Sequence, residues 1–76
     1  MEKKAENERA IALRVPGHPA LSDAKRLVYA ALGGRRWGAL EIEIIAGRDE
    51  SLLLARPANG VYISRDALLR LAALGR

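Results

Sequence analysis

Along residues 10–15 the chain alternates, with Ile11, Leu13 and Val15 on one side and Ala10, Ala12 and Arg14 on the other. A period of two predicts a strand with one buried face. Pro16-Gly17-His18-Pro19 ends it, because proline lacks a ladder donor and restricts the residue before it. Apolar positions then recur three and four apart at Ala20, Leu21, Ala24, Leu27, Val28, Ala31 and Leu32, which lines one side of a helix. Pro19 or Ser22 suits its start and Gly33-Gly34 its end, where the chain turns left-handed at a steric cost to every residue but glycine. A second strand is expected over 39–46, with Leu40, Ile42 and Ile44 on one side and Glu41, Glu43 and Ile45 on the other. A return strand over 51–56 follows the loop Gly47-Arg48-Asp49-Glu50. Asn59-Gly60 is a hairpin signal, so Val61-Tyr62-Ile63 reads as a short further strand. Ser64 caps a second helix, with Asp66 in its first turn, Leu68, Leu71 and Ala72 on its inner side and Gly75 at its end.

The expected order is thus β-α-β-β-β-α. Each helix carries one apolar stripe, so the economical arrangement is an α+β two-layer sandwich: a four-stranded mixed sheet with both helices on one face and the other face open. Residues 1–9 mix acids and bases without periodicity and read as a flexible charged tail ahead of a single domain over 10–76. A three-residue loop would set Leu52 and Leu54 on the same side as Leu40, Ile42 and Ile44, under the helices with Val61 and Ile63. The far side then displays Ile45, Leu53 and Tyr62 as an apolar patch edged by charge. Contiguous exposed apolar surface marks a contact site. A chain with so small a core also gains stability by covering that surface against a second copy of itself or another protein.

Composition narrows the chemistry. Cysteine is absent from the 76 residues, which removes thiol nucleophiles, thiolate metal sites and disulfides together. No uncharged run approaches the roughly 20 residues of a membrane-spanning helix, and no secretory h-region precedes the first strand. The expected setting is the cytoplasm. The net charge of +4 arises between residues 10 and 36, where Arg14, Lys25, Arg26, Arg35 and Arg36 face Asp23 alone. Lys25, Arg26 and Tyr29 share a polar helix side with Ser22, and Gly33-Gly34-Arg35-Arg36-Trp37-Gly38 joins two guanidinium groups to the only tryptophan. The alternative reading is therefore RNA or another nucleic acid, its phosphates on Lys25, Arg26, Arg35 and Arg36 and a base stacked on Tyr29 or Trp37. Against it, a net charge of this size keeps a small domain soluble, and Trp37 can simply anchor the helix end to the core.

Catalytic patterns are thin. Ser22-Asp23-Ala24-Lys25 fits the S-x-x-K of serine acyl enzymes but lacks their companion motifs, and Ser22 suits a helix start. Glu41 and Glu43 sit about 7 Å apart at Cα on one side of a strand. With no third ligand nearby in the sequence, they read as a solvated pair opposite Arg56 or Arg14. His18, the only histidine, has no evident partner, and the glycine stretch lacks the preceding strand and following lysine of a phosphate-cradling loop. The expectation is a non-catalytic protein without cofactor or metal that binds a protein partner through Ile45, Leu53 and Tyr62, a homodimer being one form of this.

Overall fold

The computed structural model of the chain describes residues 10–33, 39–58 and 63–74, together with the backbone of residues 3–6. In chain order the elements are β1 (Lys3–Glu6), β2 (Ile11–Pro16), α1 (Leu21–Ala31), β3 (Leu40–Ala46), β4 (Glu50–Pro57) and α2 (Arg65–Leu74). The class is α+β, with two helices and a three-stranded antiparallel sheet of order β2-β4-β3. β1 pairs along the remaining side of β2, with Lys3 opposite Arg14 and Glu6 opposite Ile11. Residues 3–6, expected within a flexible tail, are thus a strand.

The turn between β3 and β4 decides the rest. The Gly47 amide donates to the Glu50 carbonyl at 2.7 Å, which leaves only Arg48 and Asp49 beyond the ladder, and neither takes a positive φ. The loop is therefore two residues rather than the expected three, and the register follows: Ile44 opposes Leu53, Ile42 opposes Ala55 and Ile45 opposes Leu52. Because side chains alternate, a one-residue change moves every side chain of β4 to the other face.

Leu53 and Ala55 consequently join Ile11, Leu13 and Val15 of β2 beneath Ala24, Val28 and Leu32 at α1. Leu54 joins Ala10 and Ala12 on the opposite face, beneath Leu68 and Ala72 of α2, with Ile45, Leu52, Ile63 and Leu71 packed around them. The two helices therefore cover opposite faces of the sheet. This corrects the expected arrangement with both helices on one face and an open face behind. The expected mixed sheet is corrected too: every neighbouring pair of strands is antiparallel. β4 lies between β2 and β3, which run parallel to each other without touching. Of the expected strand at 61–63, Val61 and Tyr62 lie outside the described residues, and Ile63 is not in a strand.

Local signals explain the helix ends. Gly33 takes φ +65° just past α1, while the Leu32 amide donates to the Val28 carbonyl at 3.0 Å. This is the left-handed stop that glycine permits. α1 starts at neither expected residue: Ala20 is its N-cap, with no side-chain cap bond. α2 has its expected cap, the Ala67 amide donating to Ser64 Oγ at 3.2 Å, and its expected inner residues, with Leu68 and Ala72 buried and Leu71 packed beside them.

Leu53 is fully buried (0% exposed), so Leu53→Ala is expected to cost about 2–5 kcal/mol through lost transfer energy and the cavity left behind. Ile45→Ala, at a half-buried position, is expected to cost about 1–2 kcal/mol. Urea unfolding followed by circular dichroism measures both. A Leu53→Ala cost no greater than that of Ile45→Ala would contradict this register.

Candidate functional site

The residues expected to form one contact patch point apart. Leu53 faces α1 and Ile45 faces α2, and Tyr62 lies outside the described residues. The expected patch is therefore not formed by Ile45 and Leu53. Of the residues assigned to nucleic acid, Lys25, Arg26 and Tyr29 do share the exposed side of α1, with Tyr29 44% exposed. Arg26 Nη2 donates to Asp23 Oδ1 at 2.7 Å, which partly neutralises that side. Arg35, Arg36 and Trp37 lie outside the described residues. Ser22 and Lys25 are both exposed on the helix surface, so no enclosed serine–lysine site forms there.

His18 belongs to the scaffold. Its Nε2–H donates to the Gly47 carbonyl at 2.8 Å, the Gly17 amide donates to the Asp49 carbonyl at 2.9 Å, and the buried Ser51 hydroxyl donates to the Gly17 carbonyl at 2.8 Å. Gly17 reaches this geometry at φ +73°, open to glycine at no steric cost. Together these bonds tie the entry of α1 to the β3–β4 turn.

Among the described residues the sheet has two outer edges, one on the four-residue β1 and one on the seven-residue β3. In an antiparallel pair, residues alternate between those bonded to the neighbour and those whose backbone groups point away. Gly47 bonds to Glu50, and at the other end the Ala58 amide donates to the Ala39 carbonyl at 2.9 Å. Odd-numbered residues of β3 therefore bond to β4, and Leu40, Ile42, Ile44 and Ala46 turn their N–H and C=O groups outward. Among the described residues no strand pairs with that outer edge. On the α1 face, the half-buried members of the core cluster are Leu27, Ala31, Leu40, Ile42 and Ile44, so its apolar layer is open on the β3 side while its centre is sealed.

On the α2 face, β3 carries Glu41 and Glu43. Arg56 Nε donates to Glu41 Oε1 at 3.1 Å and Arg65 Nε to Glu43 Oε2 at 3.0 Å. Both carboxylates remain well exposed, at 59% and 45%. Arg56 also donates through Nη1 to the Ile63 carbonyl, which links the end of β4 to the approach of α2. The expected pairing of a glutamate with Arg56 is thus present, whereas Arg14 pairs with Glu50 at 2.5 Å instead. Glu41, Glu43, Arg56, Leu54 and Leu68, with Ile42 between the two glutamates along the strand, line a cleft of about 190 Å³, below the roughly 300 Å³ at which small-molecule sites begin. Among the described residues no group of three His, Asp or Glu gathers to hold a metal ion, and no helix is long and apolar enough to cross a membrane.

The β3 edge was missing from the sequence-based expectations because edge status depends on strand order, which alternation does not encode. Compared with known proteins, the chain matches no family model, no curated protein and no solved structure.

The two glutamate pairs should differ in worth. Glu43–Arg65 is an exposed pair, so its coupling energy in a double-mutant cycle with alanine is expected to fall below about 1 kcal/mol. Arg56→Ala, which also strips the Ile63 carbonyl of a donor, is expected to destabilise by about 1–3 kcal/mol. Denaturant titrations of the variants read both values.

Proposed function

We propose that the chain is a small non-catalytic protein-binding module of the cytoplasm, and that it acts by pairing an extended segment of its partner with the outer edge of β3. The observation that carries this reading is the row of outward backbone groups at Leu40, Ile42, Ile44 and Ala46, on a strand seven residues long. An edge of that length with which no described strand pairs is a ready template for a further strand, and main-chain hydrogen bonds then supply affinity. The half-buried Ile42, Ile44 and Leu27 beside it offer apolar area that an added strand would cover. The absence of cysteine fits a reducing compartment.

A second reading keeps nucleic acid as the ligand, with Lys25, Arg26 and Tyr29 as its contacts, and is favoured by their common exposed helix side. Phosphate binding would give it a steep salt dependence.

Selection from a random peptide library on the native chain, repeated on Ala46→Pro, separates the two. Proline removes one outward donor while leaving the bonds to β4. Under the edge reading, enriched peptides lose affinity for Ala46→Pro about fivefold or more and are unaffected by Lys25→Ala/Arg26→Ala. Peptides that bind Ala46→Pro unchanged would overturn it. Micromolar binding of mixed RNA that falls with salt and with the Lys25/Arg26 change would support the second reading.

A further inference from the structure

The same edge also carries information about which segment it accepts. Resting on the reading just given, we infer that the β3 edge selects an extended partner segment in which basic and apolar residues alternate, and that it rejects a second copy of this chain. The first strand to arrive outside β3 sets one residue directly opposite each of Glu41 and Glu43, on the same face, and another opposite each of Leu40, Ile42 and Ile44. Arg56 stands on the inner side of β3 and Arg65 on α2. The outermost charges on that face of β3 are therefore the half-exposed carboxylates, which lie between the protein's own arginines and the incoming strand. Lysine or arginine opposite them is favourable, and an acid there is not. On the other face the neighbours are Ile42, Ile44, Leu27 and Ala31, all half-buried, so the intervening positions of the partner are apolar.

Self-pairing meets the opposite condition. Across a two-fold axis, the register that pairs all seven residues of β3 sets Glu43 against Glu43 of the second copy. Shifted by two residues in one direction, it sets Glu41 against Glu43 twice; shifted in the other, it sets Glu43 against Ile45. Directly opposed like charges destabilise a strand pair, and charged side chains on an edge are a known device against edge-to-edge association. The glutamates thus disfavour the chain's own edge in its fullest register and admit a basic one. The net charge of +4 makes indiscriminate capture of a cationic segment unfavourable elsewhere on the surface.

Three capped peptides of one palindromic frame test this on the intact chain: Thr-Val-Lys-Val-Lys-Val-Thr, the same with Glu for Lys, and the same with Thr for Lys. By fluorescence anisotropy the lysine peptide is expected to bind about tenfold tighter than the glutamate peptide. Glu41→Lys/Glu43→Lys is expected to invert that order, and Ala46→Pro to weaken every peptide. Equal affinity for all three peptides, lost in Ala46→Pro, would overturn the charge selection while sparing the edge reading. Peptide binding that Ala46→Pro leaves unchanged would overturn both, as would no binding by any of the three. Sedimentation equilibrium is expected to give a monomer at tens of micromolar, and a native dimer that Ala46→Pro dissociates would overturn the exclusion of self. Circular dichroism of each variant reports folding. If Glu41→Lys/Glu43→Lys fails to fold, the salt dependence of the lysine and threonine peptides on the native chain decides: a slope for lysine that is absent for threonine is the expected result, and equal slopes overturn the charge selection.

Discussion

A turn of only two residues, Arg48 and Asp49, controls which way every side chain of β4 points. Closed by the Gly47–Glu50 backbone bond, it places Leu53 against Ile44 and so aims Leu53 at α1 and Leu54 at α2. Once β4 is apolar on both faces, neither face can be left to water at a tolerable cost, and each needs a helix. The layered order helix, sheet, helix follows from that requirement. The latch of His18, Gly17 and Ser51 onto the same turn fixes the start of α1 to the structure that sets the register, so the turn and the first helix are positioned together.

With a helix on each face, the surface proposed for contact lies at the rim of the sheet and not on its flat. α1 packs chiefly on β3 and β4, and α2 on β2 and β1, so the helices are offset toward opposite edges. The β3 edge is left with a half-covered apolar layer on one face and two tethered carboxylates on the other. Hydrogen-bonding capacity, apolar area and charge meet there along one line. On α1, by contrast, Lys25 and Arg26 are joined by Asp23, whose ion pair with Arg26 lowers the local positive field.

Much of the fold was legible and its layering was not, for identifiable reasons. The periodicities at 10–15, 39–46 and 51–56 and the apolar stripes of both helices correspond to elements in the structure, as do the Gly33 stop and the Ser64 cap. Alanine misled: Ala10 and Ala12 read as an outer side, yet their small size lets α2 approach closely, and both are buried. A better signal lay in Leu52-Leu53-Leu54-Ala55, a continuous apolar run of the kind that marks a strand buried on both faces. Alternation also cannot distinguish a two-residue from a three-residue loop, and that single residue separated an exposed Leu53 from a buried one. Of the candidate contact residues, Lys25, Arg26 and Tyr29 fall together as the helix spacing implies, because helical geometry is local. Ile45 and Leu53 do not, because their relation depends on register. β1 carries too few apolar residues for any periodic signal, and its pairing with β2 is a tertiary outcome.

Amide hydrogen exchange along β3, read residue by residue by NMR on the native chain, tests the central claim most directly. An open outer edge predicts parity: the amides of Leu40, Ile42, Ile44 and Ala46 exchange fast, while those of Glu41, Glu43 and Ile45, bonded to β4, are protected. Uniform protection along the strand, or protection of the even-numbered residues instead, would contradict an exposed edge in this register.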